Sequence, residues 1–258
     1  MDEKNETAQR TRGRIEYVLN YAITKGYASH PNPAVWKGNL EHLLPKPSKV
    51  QNQQNMPALQ LQDVQRWWHD LKLRDGNGAH ALQFLTLVAA RSGEVRGMSF
   101  DEITFFSRQE AKNYGFSGIW TIPGERMKTR VEHEVPIIAP VKALIENQPN
   151  GRGLVFPSRR GGLLSDMTLS ALMKRMHQSD EKGYFDKKSG RPAVPHGVRS
   201  TFRDWAAETQ QSRDIAELQL AHRLGNASEK AYFRTDLLRD RAKMLTKWFD
   251  FLEGTALN

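Results

Sequence analysis

Apolar residues recur at helical spacing over residues 15–27, where Ile15, Val18, Leu19, Ala22 and Ile23 share a face and Gly26 marks the end. Residues 1–12 are polar and charged and predict a poorly ordered start. A second short piece, 33–44, contributes Trp36, Leu40, Leu43 and Leu44. Two such pieces enclose too little surface to fold alone. Residues 13–44 therefore read as the end of a truncated helical domain, and the Pro-, Gln- and Asn-rich residues 45–58 as an extended linker. Residues 59–258 read as one larger domain.

In that domain Leu61, Val64, Trp68 and Leu71 form one helical stripe, and residues 79–90 are apolar on nearly all sides, the pattern of a buried helix that Arg91 ends. Residues 103–106, 118–123 and 131–138 are short, β-prone and separated by turn-like sequence. They predict a three-stranded antiparallel sheet with GERMKTR (124–130) at the tip between its second and third strands. Helical patterns follow at 141–147 and 165–178, then a polar loop at 180–193, then helices at 199–208, 214–221 and 237–252. The fold class is mainly α with a small three-stranded antiparallel β-sheet (α+β).

Composition narrows the partners. The 258 residues carry 38 Lys+Arg against 29 Asp+Glu, a net charge of +9, which favours a polyanion such as nucleic acid. An apolar content of 38% with six Trp supports a real core. The absence of cysteine excludes disulfides, thiolate metal sites and a Cys nucleophile. No run approaches 18 apolar residues and the first dozen residues have no signal-peptide core, so the expectation is a soluble, cytoplasmic, nucleoid-associated protein with no membrane partner.

The candidate chemistry is concentrated in residues 195–232, PHGVRSTFRDWAAETQQSRDIAELQLAHRLGNASEKAY. His196, Arg199, His222 and Tyr232 are a poor metal set but a good one for phosphate. Arg presents a planar fork to phosphate oxygens, His shuttles protons near neutrality, and a Tyr hydroxyl serves as nucleophile. The start of the helix near Arg199 adds free N–H groups and partial positive charge. Arg91, with Glu94 three residues on to orient a guanidinium, and Lys128 on the hairpin tip supply further charge and a proton source. Each residue alone has a plainer reading: Arg91 snorkels, Lys128 keeps a hairpin soluble, His222 caps a helix, Tyr232 fills a core.

Together, the order Arg, Lys, His-x-x-Arg, His, Tyr resembles the tyrosine recombinase (phage integrase) family. ARSGEVRGMSFDEI is similar to its first Arg box, TIPGERMKTRVEHEVPI to its lysine hairpin, PHGVRSTFRDWA to its His-x-x-Arg box and LAHRLGNASEKAYFR to its His-to-Tyr segment. The wording is nearest to integrases of prophages and genomic islands in enteric bacteria, with residues 60–252 as catalytic domain and 13–44 as the end of a core-binding domain.

The resemblance implies a site-specific recombinase in which Arg91, Arg199 and His222 clamp the scissile phosphate and Tyr232 attacks phosphorus. Lys128 would then protonate the leaving oxygen, His196 assist as general base, and Glu94 support the arginines. It implies no cofactor and no metal, since the covalent intermediate keeps the phosphodiester energy. It further implies double-stranded DNA (attachment core sites) as partner, a tetramer on DNA assembled from free monomers, and a directionality factor and host DNA-bending protein as accessories.

Alternatives remain at this level: a catalytically silent DNA-binding remnant, or relaxation of DNA in the manner of a type IB topoisomerase. Integrases of this type carry an arm-binding and a complete core-binding domain before the region matched by residue 13, so weak, steeply salt-dependent DNA binding is expected. The last helix, with Met244, Trp248 and Phe249 on its apolar side, suits either a groove of its own chain or a partner's.

Overall fold

The computed structural model describes residues 5–45, 56–149, 151–222 and 237–255. The chain forms two compact units, Met1–Asn55 and Met56–Asn258.

In the first unit a helix, α1 (Asn5–Thr24), begins well before the expected start at residue 15. Two contacts tie it to the segment that follows. Arg12 Nη1 donates to the Ala34 carbonyl at 2.9 Å, and the buried Asn32 side chain donates to the Glu16 carbonyl at 3.0 Å. Those bonds order residues that composition alone marks as frayed. Residues 46–55, most of the predicted linker, lie outside the described residues.

The second unit runs α2 (Leu61–Lys72), α3 (Asn77–Val88), α4 (Ser92–Arg96), β1 (Ile103–Phe105), α5 (Arg108–Tyr114), β2 (Gly118–Ile122), β3 (His133–Ile137), α6 (Ala139–Glu146), α7 (Met167–Ser179), α8 (Pro195–Glu208), α9 (Arg213–Gln219) and α10 (Leu238–Glu253). The sheet has the order β1-β2-β3 with both pairings antiparallel, and Trp120 stands opposite Ile103 and Val135. β2 alternates buried and half-buried positions, the period of a strand with one face on a core. Helix α5 was not predicted. It carries no buried residue, and its apolar pattern is correspondingly silent.

The core is built around α3, buried along nearly its whole length, as its all-round apolar sequence requires. Phe84 of α3 meets Trp120 edge-on at 5.3 Å and Phe156 at 5.7 Å. On another side lies an aromatic cluster of Phe202, Trp205, Trp248 and Phe251. Trp248 is fully buried and its indole N–H donates to the Thr86 carbonyl at 2.8 Å. Helix α10 thus packs within its own chain, against α2, α3, α9 and β3. Among the described residues no helix is long and apolar enough to cross a membrane.

Candidate active site

Helix α3 stops at Val88, earlier than the apolar run suggests, because Ala89 takes a left-handed conformation (φ 51°). Arg91 therefore does not end the buried helix; it is the N-cap of α4. Glu94, in the first turn of α4, accepts from the Arg91 backbone N–H at 2.8 Å and from Arg91 Nη1 at 2.7 Å. With Glu94 only 5% exposed, its carboxylate holds Arg91 at the backbone N–H and at one guanidinium nitrogen.

The helix that carries His196 and Arg199 starts earlier than the expected residue 199. Helix α8 begins at Pro195, in the first-turn position where a missing N–H costs nothing. His196 is consequently in the first turn, exposed, while Arg199 one turn on is buried. Arg199 Nη1 donates to the Ala89 carbonyl and Nη2 to the Leu220 carbonyl at 2.6 Å. Arg91 Nη2 reaches the same Leu220 carbonyl at 3.5 Å. Two guanidiniums from distant helices thus converge on one backbone oxygen. Burial and the neighbouring Arg91 lower the Arg199 pKa to about 10, with Glu94 and Glu217 acting the other way. A dense positive site of this kind is costly for the protein and well suited to an anion.

His222 joins from α9. That helix ends at Gln219, and Ala221 turns left-handed (φ 49°), bringing His222 Nε2 to 3.4 Å from Arg199 Nη2. The other ring nitrogen, Nδ1, is 2.6 Å from Glu217 Oε2. A carboxylate only accepts, so Nδ1 carries the proton and Nε2 faces the arginines. Glu217 is a site residue that sequence reading missed, as a five-residue separation beyond a helix end matches no periodic pattern.

Lys128 is exposed on the turn between β2 and β3. Buried Met127 anchors the turn beside it, and Arg126 ties its base down by donating to Glu102 Oε1 and to the Glu94 carbonyl. The His196 pKa is lowered by desolvation first, then by Arg199, Arg91, Lys128 and His222. One imidazole therefore senses four of the predicted site residues, and is neutral at neutral pH. Tyr232 lies outside the described residues.

This arrangement can hold a tetrahedral phosphoryl group between two guanidiniums and His222, with a neutral imidazole and an ammonium nearby for proton transfer. A family model described as "Phage integrase family" matches residues 59–237. The chain belongs to the phage integrase family. A second model, "Phage integrase central domain", matches residues 1–39. Among relatives of this tyrosine recombinase family, the prophage integrase IntA of Escherichia coli K12 is 28% identical over 256 residues, covering 96% of this chain and 55% of IntA. The integrase of Enterobacteria phage P4 is 25% identical over 273 residues, covering 97% of this chain and 56% of its own length. The chain thus spans little more than half the length of these relatives.

The fold is that of solved integrases. A lambda integrase dimer bound to a COC' core site superposes with a TM-score of 0.59 at 17% identity, over 90% of this chain and 60% of that one. The Tn1549 transposon integrase bound to a circular intermediate DNA gives 0.56 at 13% identity, over 95% of this chain and 79% of that one. The mainly helical architecture with one small antiparallel sheet, expected from the sequence, is that of tyrosine recombinase catalytic domains.

Proposed function

We propose that this chain carries the strand-cleaving and rejoining centre of a site-specific DNA recombinase serving integration or excision of a prophage or genomic island. The observation that carries the reading is the convergence of Arg91 and Arg199 on the Leu220 carbonyl with His222 beside them. A scissile phosphate seated there meets guanidinium donors from two elements, aimed where charge builds in a pentacovalent transition state, and His222 Nε2 becomes a third donor when the ring takes a second proton.

The Tyr232 oxygen attacks phosphorus, forming a P–O bond while the bond to the 5′ oxygen breaks. The phenol proton passes to neutral His196, and Lys128 gives a proton to the leaving 5′ oxygen. Glu94 and Glu217 act through Arg91 and His222. The 3′-phosphotyrosine link retains the energy of the diester, so rejoining needs no ATP: a 5′ hydroxyl attacks and the tyrosine leaves. The partner is double-stranded DNA at attachment core sites. Solved relatives include a lambda integrase tetramer bound to a Holliday junction, which supports four protomers exchanging strands. A directionality factor and a host DNA-bending protein complete the proposed assembly.

Covalent capture tests this. The chain and its Tyr232→Phe variant are incubated with nicked duplexes randomised over the core, and denaturing gels reveal protein–DNA adducts. An adduct that depends on Tyr232 and selects a core sequence is expected. DNA binding without any adduct would instead mark a silent DNA-binding module, and adducts with sequence-indifferent plasmid relaxation would mark a topoisomerase.

A further inference from the structure

Behind the candidate site lies a buried polar chain that the proposed mechanism does not use. Arg241, in the first turn of α10, is 2% exposed, and its immediate sequence, LRDRAK, reads as a solvated charged run. Its Nε donates to Gln219 Oε1 at 3.0 Å, and its Nη2 donates to the Glu134 carbonyl at 2.6 Å. The same Nη2 is 3.4 Å from His133 Nε2. Gln219, also buried, passes the connection on: its Nε2 donates to the Val88 carbonyl at 2.7 Å. The Gln219 backbone also acts on His133, in the direction that raises its pKa.

The endpoints of this chain are informative. Val88 immediately precedes Ala89, whose carbonyl receives Arg199, and Gln219 immediately precedes Leu220, whose carbonyl receives both Arg199 and Arg91. Each stretch also contains an alanine in the left-handed region, Ala89 and Ala221. Such residues are unfavourable for a side chain and persist only where the surroundings over-determine them. The carbonyls that aim the two site arginines therefore sit at or beside strained backbone, and Gln219 links the two stretches.

We infer that Arg241 is a positioning residue of the active site: through Gln219 it fastens the 88–89 and 219–220 backbone, and so sets the directions of Arg199 and Arg91. The inference rests on the recombinase reading for its effect on rate, but not for the geometry. Arginine is specifically suited, because a planar fork reaches the Gln219 oxygen and the Glu134 carbonyl together while a lysine ammonium serves one at a time. Burial first, then Arg241, lowers the His133 pKa to about 3. The ring is thus neutral and accepts from the guanidinium.

The test uses the full chain with Arg241→Lys, Arg241→Met and Gln219→Met. Single-turnover adduct formation is measured on nicked duplex of the captured core sequence, across a DNA titration that separates maximal rate from Kd. The expected result is a maximal rate lowered tenfold or more in all three, a Kd changed less than threefold, and no recovery in Arg241→Lys. The Arg241→Met/Gln219→Met double variant should cost no more than the worse single one. Histidine NMR of the DNA-free protein, with His196→Gln for assignment, should show the His196 midpoint rising in the variants as Arg199 and Arg91 lose their fixed places.

Folded variants with wild-type maximal rates, or an unchanged His196 midpoint, would overturn the inference. Equal losses of rate and affinity together with a lowered Tm would overturn it in favour of a plain stability role. If Arg241→Met does not fold, Gln219→Met decides by the same readings. If the unsubstituted chain forms no adduct, it is the recombinase reading that fails, and the His196 titration alone decides the positioning.

Discussion

Glu217 holds His222 by a 2.6 Å contact between Oε2 and the ring Nδ1, while its other oxygen accepts from Arg203 Nε at 2.7 Å. Burial acts to raise the Glu217 pKa, but the hydrogen bonds from His222 and Arg203 outweigh it and the net shift is downward. The carboxylate is thus ionised and its position is fixed from both ends.

Glu217→Ala should slow adduct formation about tenfold, since one charge-assisted hydrogen bond on a half-exposed ring is worth roughly 1–1.5 kcal/mol. Glu217→Gln, whose amide oxygen still accepts from Nδ1, should lose less. A carboxylate with a lowered folded pKa gives stability that is full above its unfolded pKa and lost as pH falls through the folded value. Melting curves below about pH 4.5 should therefore fall more steeply for the native chain than for Glu217→Gln; parallel curves would remove Glu217 from this role.

His196 makes the opposite kind of demand. Its folded pKa is below the ordinary value, from desolvation and then from Arg199, Arg91, Lys128 and His222. The unfolded chain takes up this proton first, so His196 subtracts stability as pH falls from about 6.5 toward the folded pKa. Adduct formation should stay level through that range and decline only lower, where the base form is lost. Lys128→Met should move the midpoint upward in an NMR titration. A His196 midpoint at or above 6.5 would remove it as the base.

Arg199 is a charge held buried beside Arg91. Arg199→Met should reduce cleavage by about 10²–10³, the usual loss for one preorganised donor to developing charge. Its Tm should nevertheless move by only a few degrees. Two carbonyls, of Ala89 and Leu220, lose a donor, but the substitution also relieves the burial of a charge beside Arg91. Calorimetry alongside single-turnover rates checks both parts, and a large drop in Tm would mean that the guanidinium is chiefly structural.

Gly197 separates the two halves of the His-x-x-Arg box for a steric reason. A Cβ built there would lie 1.9 Å from the Pro57 carbonyl oxygen and 2.8 Å from Ala58 Cα, both backbone atoms. The same Pro57 carbonyl accepts the Val194 N–H at 3.2 Å, so the contact seats the start of α8. Gly197→Ala should cost about 2–3 kcal/mol by overpacking and slow cleavage by displacing His196. Urea unfolding and the single-turnover rate measure the two effects; an alanine variant of native stability would contradict the packing.

The α10 helix is structural for its own protomer. Trp248→Ala should destabilise by about 3–5 kcal/mol, the range for truncating a large buried aromatic, with the Thr86 carbonyl also losing its donor. Urea denaturation measures this. A native-like monomer after the substitution would return α10 to the role of an exchangeable arm.

Much of this protein is legible in its sequence by itself. The α3 core helix, the three-strand sheet and α10 follow from apolar periodicity, because each buries one face or all faces against a single core. The spaced boxes likewise bring forward Arg91, Lys128, His196, Arg199 and His222 as candidates, since phosphate chemistry restricts which residue types can serve. Only the tertiary structure decided where those side chains are fixed. Helix α3 stops at Val88 because Ala89 turns left-handed to offer its carbonyl to Arg199. Glu217 meets His222 only because α9 ends between them. Arg241, in a run that reads as solvated, is buried because its partners Gln219 and His133 arrive from 22 and 108 residues away. Periodicity reports which face of a segment avoids water; it carries no information about which distant backbone carbonyl will satisfy a buried guanidinium.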